Sequence, residues 1–186
     1  IHTNPELLYD TTACNKIFRR SFWDKYQFRF PEGMLYEDIP VTIPAHALAD
    51  NVDVLTQVVY RWRARDAGDN SITQQKEKIE NFIDRTKAID MVKEAFAKYN
   101  VSNDLKDAFD YKNLSMDFPL YLGYMLEVEK EYQIAVNKYV KDYLKGVSSH
   151  IFMQLSVLWR IKYRLIMLDR FDDFLKVIRN DKLKLN

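Results

Sequence analysis

From Gln74 onward, apolar residues recur at helical spacing. Ile79, Phe82, Ile83, Ile89 and the segment from Val92 to Phe96 mark one face of a long helix ending near Tyr99. Asn100-Val101-Ser102-Asn103 interrupts it, and further helices are predicted over Asp104 to Tyr111, Pro119 to Gly146 and Ser148 to Leu168, with a short one from Phe171 to Ile178. Before Ser71 the pattern is mixed. Gly33, Gly68 and four of the five prolines (Pro5, Pro31, Pro40, Pro44) fall there, and helices are expected at Ser21 to Tyr26 and Asp38 to Ala49. Val52 to Arg63 is rich in β-branched and aromatic residues, with Val59, Arg61 and Arg63 alternating with Tyr60 and Trp62, a pattern of two short strands. The expected fold is mostly α, with a small α/β part in residues 1–73 and a helical, bundle-like extension over 74–186.

Composition narrows the picture only a little. With 47% hydrophobic and 30% charged residues the chain can bury a core, and disorder is not expected. A net charge of +1 supplies no global field for nucleic acid. The charge is uneven, however: residues 1–73 hold 8 Lys+Arg against 10 Asp+Glu, and residues 74–186 hold 20 against 17. Cys14 stands alone, which excludes an internal disulfide and fits a reducing compartment; it reads as a small buried hydrophobe. The start, Ile1-His2-Thr3-Asn4-Pro5, has no signal pattern and reads as a chain entered partway through. The apolar stretch Ile151 to Leu168 contains Arg160, Lys162 and Arg164, each costing roughly 3 kcal/mol near a bilayer centre, so no spanning helix is expected.

Candidate chemistry is concentrated before residue 74. Cys14-Asn15-Lys16-Ile17-Phe18-Arg19-Arg20 comes first, then Arg29-Phe30-Pro31-Glu32-Gly33 leading into Tyr36-Glu37-Asp38-Ile39-Pro40. Tyr60-Arg61-Trp62-Arg63 and the polar loop from Arg65 to Thr73 follow. In that order and spacing, over Thr11 to Thr73, the chain resembles glycosyltransferase family 2, the inverting enzymes of the GT-A fold. The likeness is to the bacterial branch that builds teichoic acids and capsular polysaccharides. The resemblance implies the second half of a GT-A domain, working in the cytoplasm or at the inner face of the plasma membrane. A nucleotide-sugar donor and a polymer or lipid-linked acceptor would be the partners, with no nucleic acid.

The resemblance also implies roles for individual residues. Asp38 matches the carboxylate that takes the acceptor hydroxyl's proton, and the neighbouring Glu37 would raise its pKa by like-charge repulsion. Arg65 and Ser71 match contacts to the leaving diphosphate, and Lys16 would lie beside the sugar nucleotide. Asp69 stands where relatives carry a metal-binding His, as an oxygen ligand for Mg or Mn. Each has a bland counterpart. Asp38 is also a good N-cap, Ser71-Ile72-Thr73-Gln74 is a capping box, and Gly68-Asp69 is ordinary turn chemistry. His2, His46 and His150 show no metal spacing, and Arg19 and Arg20 read as a solvated helix start.

No Asp-x-Asp occurs in the chain, so the donor-holding element of a GT-A enzyme is missing and the polypeptide is expected to be inactive alone. The aromatic-rich extension is expected to be core, with interdomain or peripheral membrane contact as its other use. Lys138, Lys141, Lys145, Arg160 and Arg164 could attract an anionic ligand there. The competing reading is a helical interaction or scaffold module in which Glu37-Asp38 is only a helix start.

Overall fold

The structure is a computed structural model that describes residues 5–61 and 75–185. A 3-10 turn, Pro5–Tyr9, precedes α1 (Arg20–Tyr26), α2 (Ile39–Leu48), α3 (Ile79–Lys98) and α4 (Asn103–Lys112). A π-helical turn, Asn113–Asp117, runs straight into α5 (Phe118–Leu122). Then come α6 (Lys130–Leu144), α7 (Ser149–Gln154), α8 (Val157–Met167) and α9 (Phe171–Leu185). Two compact units result: Ile1–Gln75 with Ile83–Ala108, and Lys76–Phe82 with Phe109–Asn186.

The protein is mostly helical, and among the described residues there is no strand. This corrects the small α/β part and with it the partial GT-A fold. The described portion of the expected strand pair, residues 52–61, is irregular; Trp62 and Arg63 lie outside the described residues. A β-rich sequence becomes a strand only when a neighbouring backbone completes its ladder. Here Val54, Leu55, Val58 and Val59 remain 65–77% exposed. Local propensity was present, and no partner strand stands beside it among the described residues.

The first unit is organised around α2. Its residues Ile39, Val41, Thr42, Ile43, Pro44, Ala45 and His46 are all buried, so the helix is enclosed on every side rather than amphipathic. Pro40 sits in the first turn, where a missing N–H is harmless; Pro44 lies inside the helix and leaves one backbone acceptor without its usual donor. Phe28, Val41 and Ala45 form a core cluster against Phe18, Phe22, Trp23, Tyr26 and Leu48. The Tyr26 ring meets Tyr99 edge-on, and the Tyr99 hydroxyl donates to the Tyr26 carbonyl at 3.2 Å, tying α1 to the end of α3.

Three helices end on a left-handed residue that is not glycine. Gln27, Asn100 and Asp169 each take positive φ, at 53°, 51° and 58°. After each, an amide reaches back to close the end: Phe28 N–H to Trp23 O, Val101 N–H to Phe96 O and Arg170 N–H to Leu165 O. This is the αL termination usually given to glycine. Asn100 lies in the predicted break.

In the second unit, aromatic rings carry the packing. Phe82 meets Tyr121 and Tyr139 edge-on, and Phe118 does the same with Tyr139 and Tyr143. Buried tyrosine hydroxyls then find polar partners: Tyr132 donates to the Lys76 carbonyl at 2.7 Å, Tyr163 to the Leu114 carbonyl at 2.6 Å and Tyr121 to Asn81 Oδ1 at 2.9 Å. The expectation that these aromatics form core holds for Tyr121, Tyr132, Tyr143 and Tyr163.

Two predicted helices are broken in the structure. Pro119 to Gly146 divides into α5 and α6, and Ser148 to Leu168 divides into α7 and α8. The second break has a local cause. Leu155 is extended (ψ 152°), and the Ser156 hydroxyl accepts from the Trp159 amide at 3.4 Å, an N-cap in the middle of an apolar stretch.

Candidate functional site

Of the residues singled out, Cys14 to Arg19 lie in the loop between the 3-10 turn and α1, and Arg29 to Gly33 follow α1. Lys16 Nζ lies 2.8 Å from Asp10 Oδ1, 2.7 Å from the Thr12 carbonyl and 2.9 Å from Asn15 Oδ1. An ammonium has three donors, and all three are engaged. Its side chain is 9% exposed, so it clamps this loop rather than reaching for a phosphate. Asn15 donates to both Asp10 oxygens, at 3.2 and 3.3 Å. Partial burial alone would raise the Asp10 carboxyl; the bonds from Lys16 and Asn15 outweigh it and hold the group below its usual value.

His46 joins this cluster from α2. It is buried, and burial first and the Lys16 charge second hold its imidazole below the usual histidine value, against the pull of Asp10 and a hydrogen bond to the Asp10 backbone. Its Nε2 has no hydrogen-bond partner among the described residues. Thr42, one turn earlier, donates to the Thr11 and Asp38 carbonyls, both at 2.9 Å. The loop is thus fastened to α2 by side chains 31 or more positions away in sequence.

Asp38 does stand at the start of α2, as predicted, with its carbonyl accepting from the Thr42 amide at 2.8 Å. Its side chain makes no capping bond, because the residue is already helical (φ −73°, ψ −36°) and its carboxylate cannot turn back to the next amides. Burial is the main reason its carboxyl is raised. Glu37 adds to this, while the amides of residues 38 and 39 and the Arg85 charge oppose it. Glu37 itself is exposed. Arg85 stacks over the Tyr36 ring at 4.7 Å, and Asp84 accepts from the Leu35 amide at 2.9 Å, so α3 holds the turn before α2 in place. Sequence reading had no signal for these partners, which sit nearly fifty residues away.

A testable consequence follows for Asp38. Folding favours its protonated form, so the associated stability is complete below pH 3.8 and is lost as pH rises through the raised folded value. Asp38→Asn keeps the shape and removes the charge. Its melting temperature should exceed that of the wild type at pH 7, with the difference shrinking below about pH 4. A variant less stable than wild type at neutral pH would contradict this.

The other expected site residues are not brought to Asp38. Arg65, Asp69 and Ser71 lie outside the described residues. Lys16 faces Asp10, Thr12 and Asn15. A cleft of about 870 Å³ is lined by Phe18, Arg20, Trp23, Gln27, Phe28 and Arg29, and none of Asp38, Glu37 or Lys16 borders it. Cys14, expected to be buried, is exposed. Among the described residues no group of three or more His, Cys, Asp or Glu side chains is arranged to hold a metal ion, and no helix is long and apolar enough to cross a membrane.

Comparison with known proteins gives a different likeness from the one the motifs implied. The chain is 33% identical over 101 residues to autophagy-related protein 11 of Debaryomyces hansenii, a match that takes in 51% of this chain. The chain covers 8% of that relative's length. No family model matches the sequence, and no solved structure matches it significantly.

The resemblance to glycosyltransferase family 2, and with it the cell-wall and capsular assignment, is corrected on two findings. The likeness detected is to an autophagy-related protein, and the described residues form helices without the sheet a GT-A core requires. A nucleotide-sugar donor and a polymer or lipid-linked acceptor lose their support as partners. The roles of Asp38, Glu37, Lys16, Arg65, Ser71 and Asp69, and of a Mg or Mn ion, rested on that resemblance. The motif around Asp38 misled because it also serves an ordinary helix: Tyr36-Glu37-Asp38-Ile39-Pro40 is a turn entering α2.

Proposed function

We propose that this chain is a helical protein-interaction module, with Glu37-Asp38 serving as the entry to α2. The observation that carries the reading is how much large apolar side chain the well-packed helical units leave in water. Ile17 is 97% exposed, and Val54, Leu55, Val58 and Val59 are more than half exposed. Val54, Leu55, Val58 and Val59 fall within six residues of one another, and clustered apolar exposure of this kind supports contact with another macromolecule. The likeness to autophagy-related protein 11 supports the same reading of a helical interaction or scaffold module.

Photo-crosslinking of the full chain in its own cells tests this. A crosslinking residue placed at Ile17 should give a discrete, high-yield protein adduct, and the same residue at exposed Glu131 on α6 should not. Equal, sparse labelling at both positions would overturn the proposal.

A further inference from the structure

The break between α7 and α8 creates a groove. Its walls are Phe152, Met153, Val157, Arg160, Ile161 and Arg164, and its volume is about 260 Å³. Met153, Val157 and Ile161 follow one another at four-residue spacing and are 62%, 62% and 47% exposed. Leu168, 59% exposed, continues the line past Arg164. Val157 and Ile161 lie on the outside of α8, whose opposite face is already core through Tyr163 and Ile166, and Met153 at the end of α7 borders the same groove.

The charge of this groove is one-sided. From Ser149 to Leu168 there is no Asp or Glu. Lys162 is neutralised within the fold, bound to Asp181 at 2.6 Å and held 4.3 Å over the Trp159 ring. Arg160 and Arg164 have no carboxylate partner among the described residues. Arg160 directs one guanidinium nitrogen at the Met153 sulfur, 3.5 Å away, and its buried Nε has no hydrogen-bond acceptor among the described residues. A buried guanidinium donor without an acceptor is costly, and a carboxylate is the ligand that best relieves it.

Resting on the interaction reading above, we infer that the α7–α8 groove takes an acidic amphipathic helix of a protein partner. Apolar side chains at i, i+3, i+4 and i+7 of the visiting helix would enter beside Met153, Val157 and Ile161. Glu or Asp flanking them would meet Arg160 and Arg164. The groove between Phe152, Met153 and Ile161 suits an inserted side chain, whereas a lipid surface would ask for a continuous convex apolar face. Methionine at the rim adapts to the shape of what enters.

The probe is a synthetic helical peptide with Leu at that spacing and Glu on its flanks, together with a twin in which every Glu is Lys. The full-length chain should bind the Glu peptide, less tightly as salt is raised, and should bind the Lys twin at least roughly tenfold more weakly. Arg160→Glu/Arg164→Glu should reverse that preference. Should the double variant lose helical content, Arg164→Glu alone, at an exposed position, should still weaken the Glu peptide and strengthen its twin. Equal binding of the two peptides, no binding of either, or binding to phosphatidylserine vesicles that the Glu peptide does not displace would each overturn the inference. A partner crosslinked at Ile17 while both peptides fail removes this groove and leaves the interaction module standing; no crosslinked partner removes both.

Discussion

Asp117→Ala is expected to destabilise the second unit by about 3–5 kcal/mol, because it removes the carboxylate that faces the Lys112 ammonium in the interior. The two groups lie 2.7 Å apart with side chains only 5% and 3% exposed, where water cannot take over the role of the missing carboxylate. The pair sits at the two ends of the π-helical turn that carries α4 into α5. Loss of one partner should therefore loosen that junction as well as lower stability. Replacing both, as in Lys112→Met/Asp117→Leu, should recover most of the loss, since an apolar pair of similar volume carries no charge to desolvate. Urea unfolding of the single and double variants measures both effects. A single variant within about 1 kcal/mol of wild type would mean that Lys112 reaches solvent.

Phe118→Ala should be comparably severe, about 3–5 kcal/mol, through the cavity it leaves. The ring is 1% exposed, directly after the same π turn, 4.9 Å from the Tyr143 ring and 6.1 Å from that of Tyr139. Tyr143 cannot shift freely to fill the space, because its hydroxyl is fixed by Asp110 and accepts from Asn113 at 2.8 Å. Burial above all, with the adjacent Asp110 charge, keeps that hydroxyl protonated well above the usual tyrosine range. The cavity should therefore persist rather than collapse, which puts the loss at the upper end for such substitutions. Equilibrium unfolding gives the magnitude. Near-ultraviolet circular dichroism should show loosened tyrosine packing, and an unchanged spectrum with a loss under about 1 kcal/mol would count against the packing described.

Both effects arise where the sequence was least readable. The period of apolar residues announced α3, and its end at Asn100 was visible as a polar break. The helical character of residues 74 onward was likewise plain. What periodicity did not reveal were interruptions inside apolar stretches. Ser156 looks like any helix residue until its hydroxyl is seen to cap α8, and nothing near Asn113 announces a π turn.

The candidate site shows the same division more sharply. Asp38 was legible as a helix start, since Pro40 follows it at the right distance. Its environment was not legible, because Arg85 reaches it through the fold. Lys16 could be read as a free cation only while its partners Asp10, Thr12 and Asn15 were unknown. The alternating segment Val52 to Arg63 was read as strands on propensity alone, and propensity does not supply a second backbone.

By itself, then, the sequence determined a mostly helical chain with a buried aromatic core, a helix start at Asp38, the end of α3 at Asn100, and no spanning helix over Ile151 to Leu168. These properties follow from spacing along the chain, which covalent geometry converts directly into faces and ends. Only the tertiary structure decided that Lys16 is a clamp, that Lys112 and Asp117 are a buried pair, and that Arg160 and Arg164 border a groove. Those outcomes depend on which distant groups meet and on how much water is left between them, and neither quantity is encoded at the level of neighbouring residues.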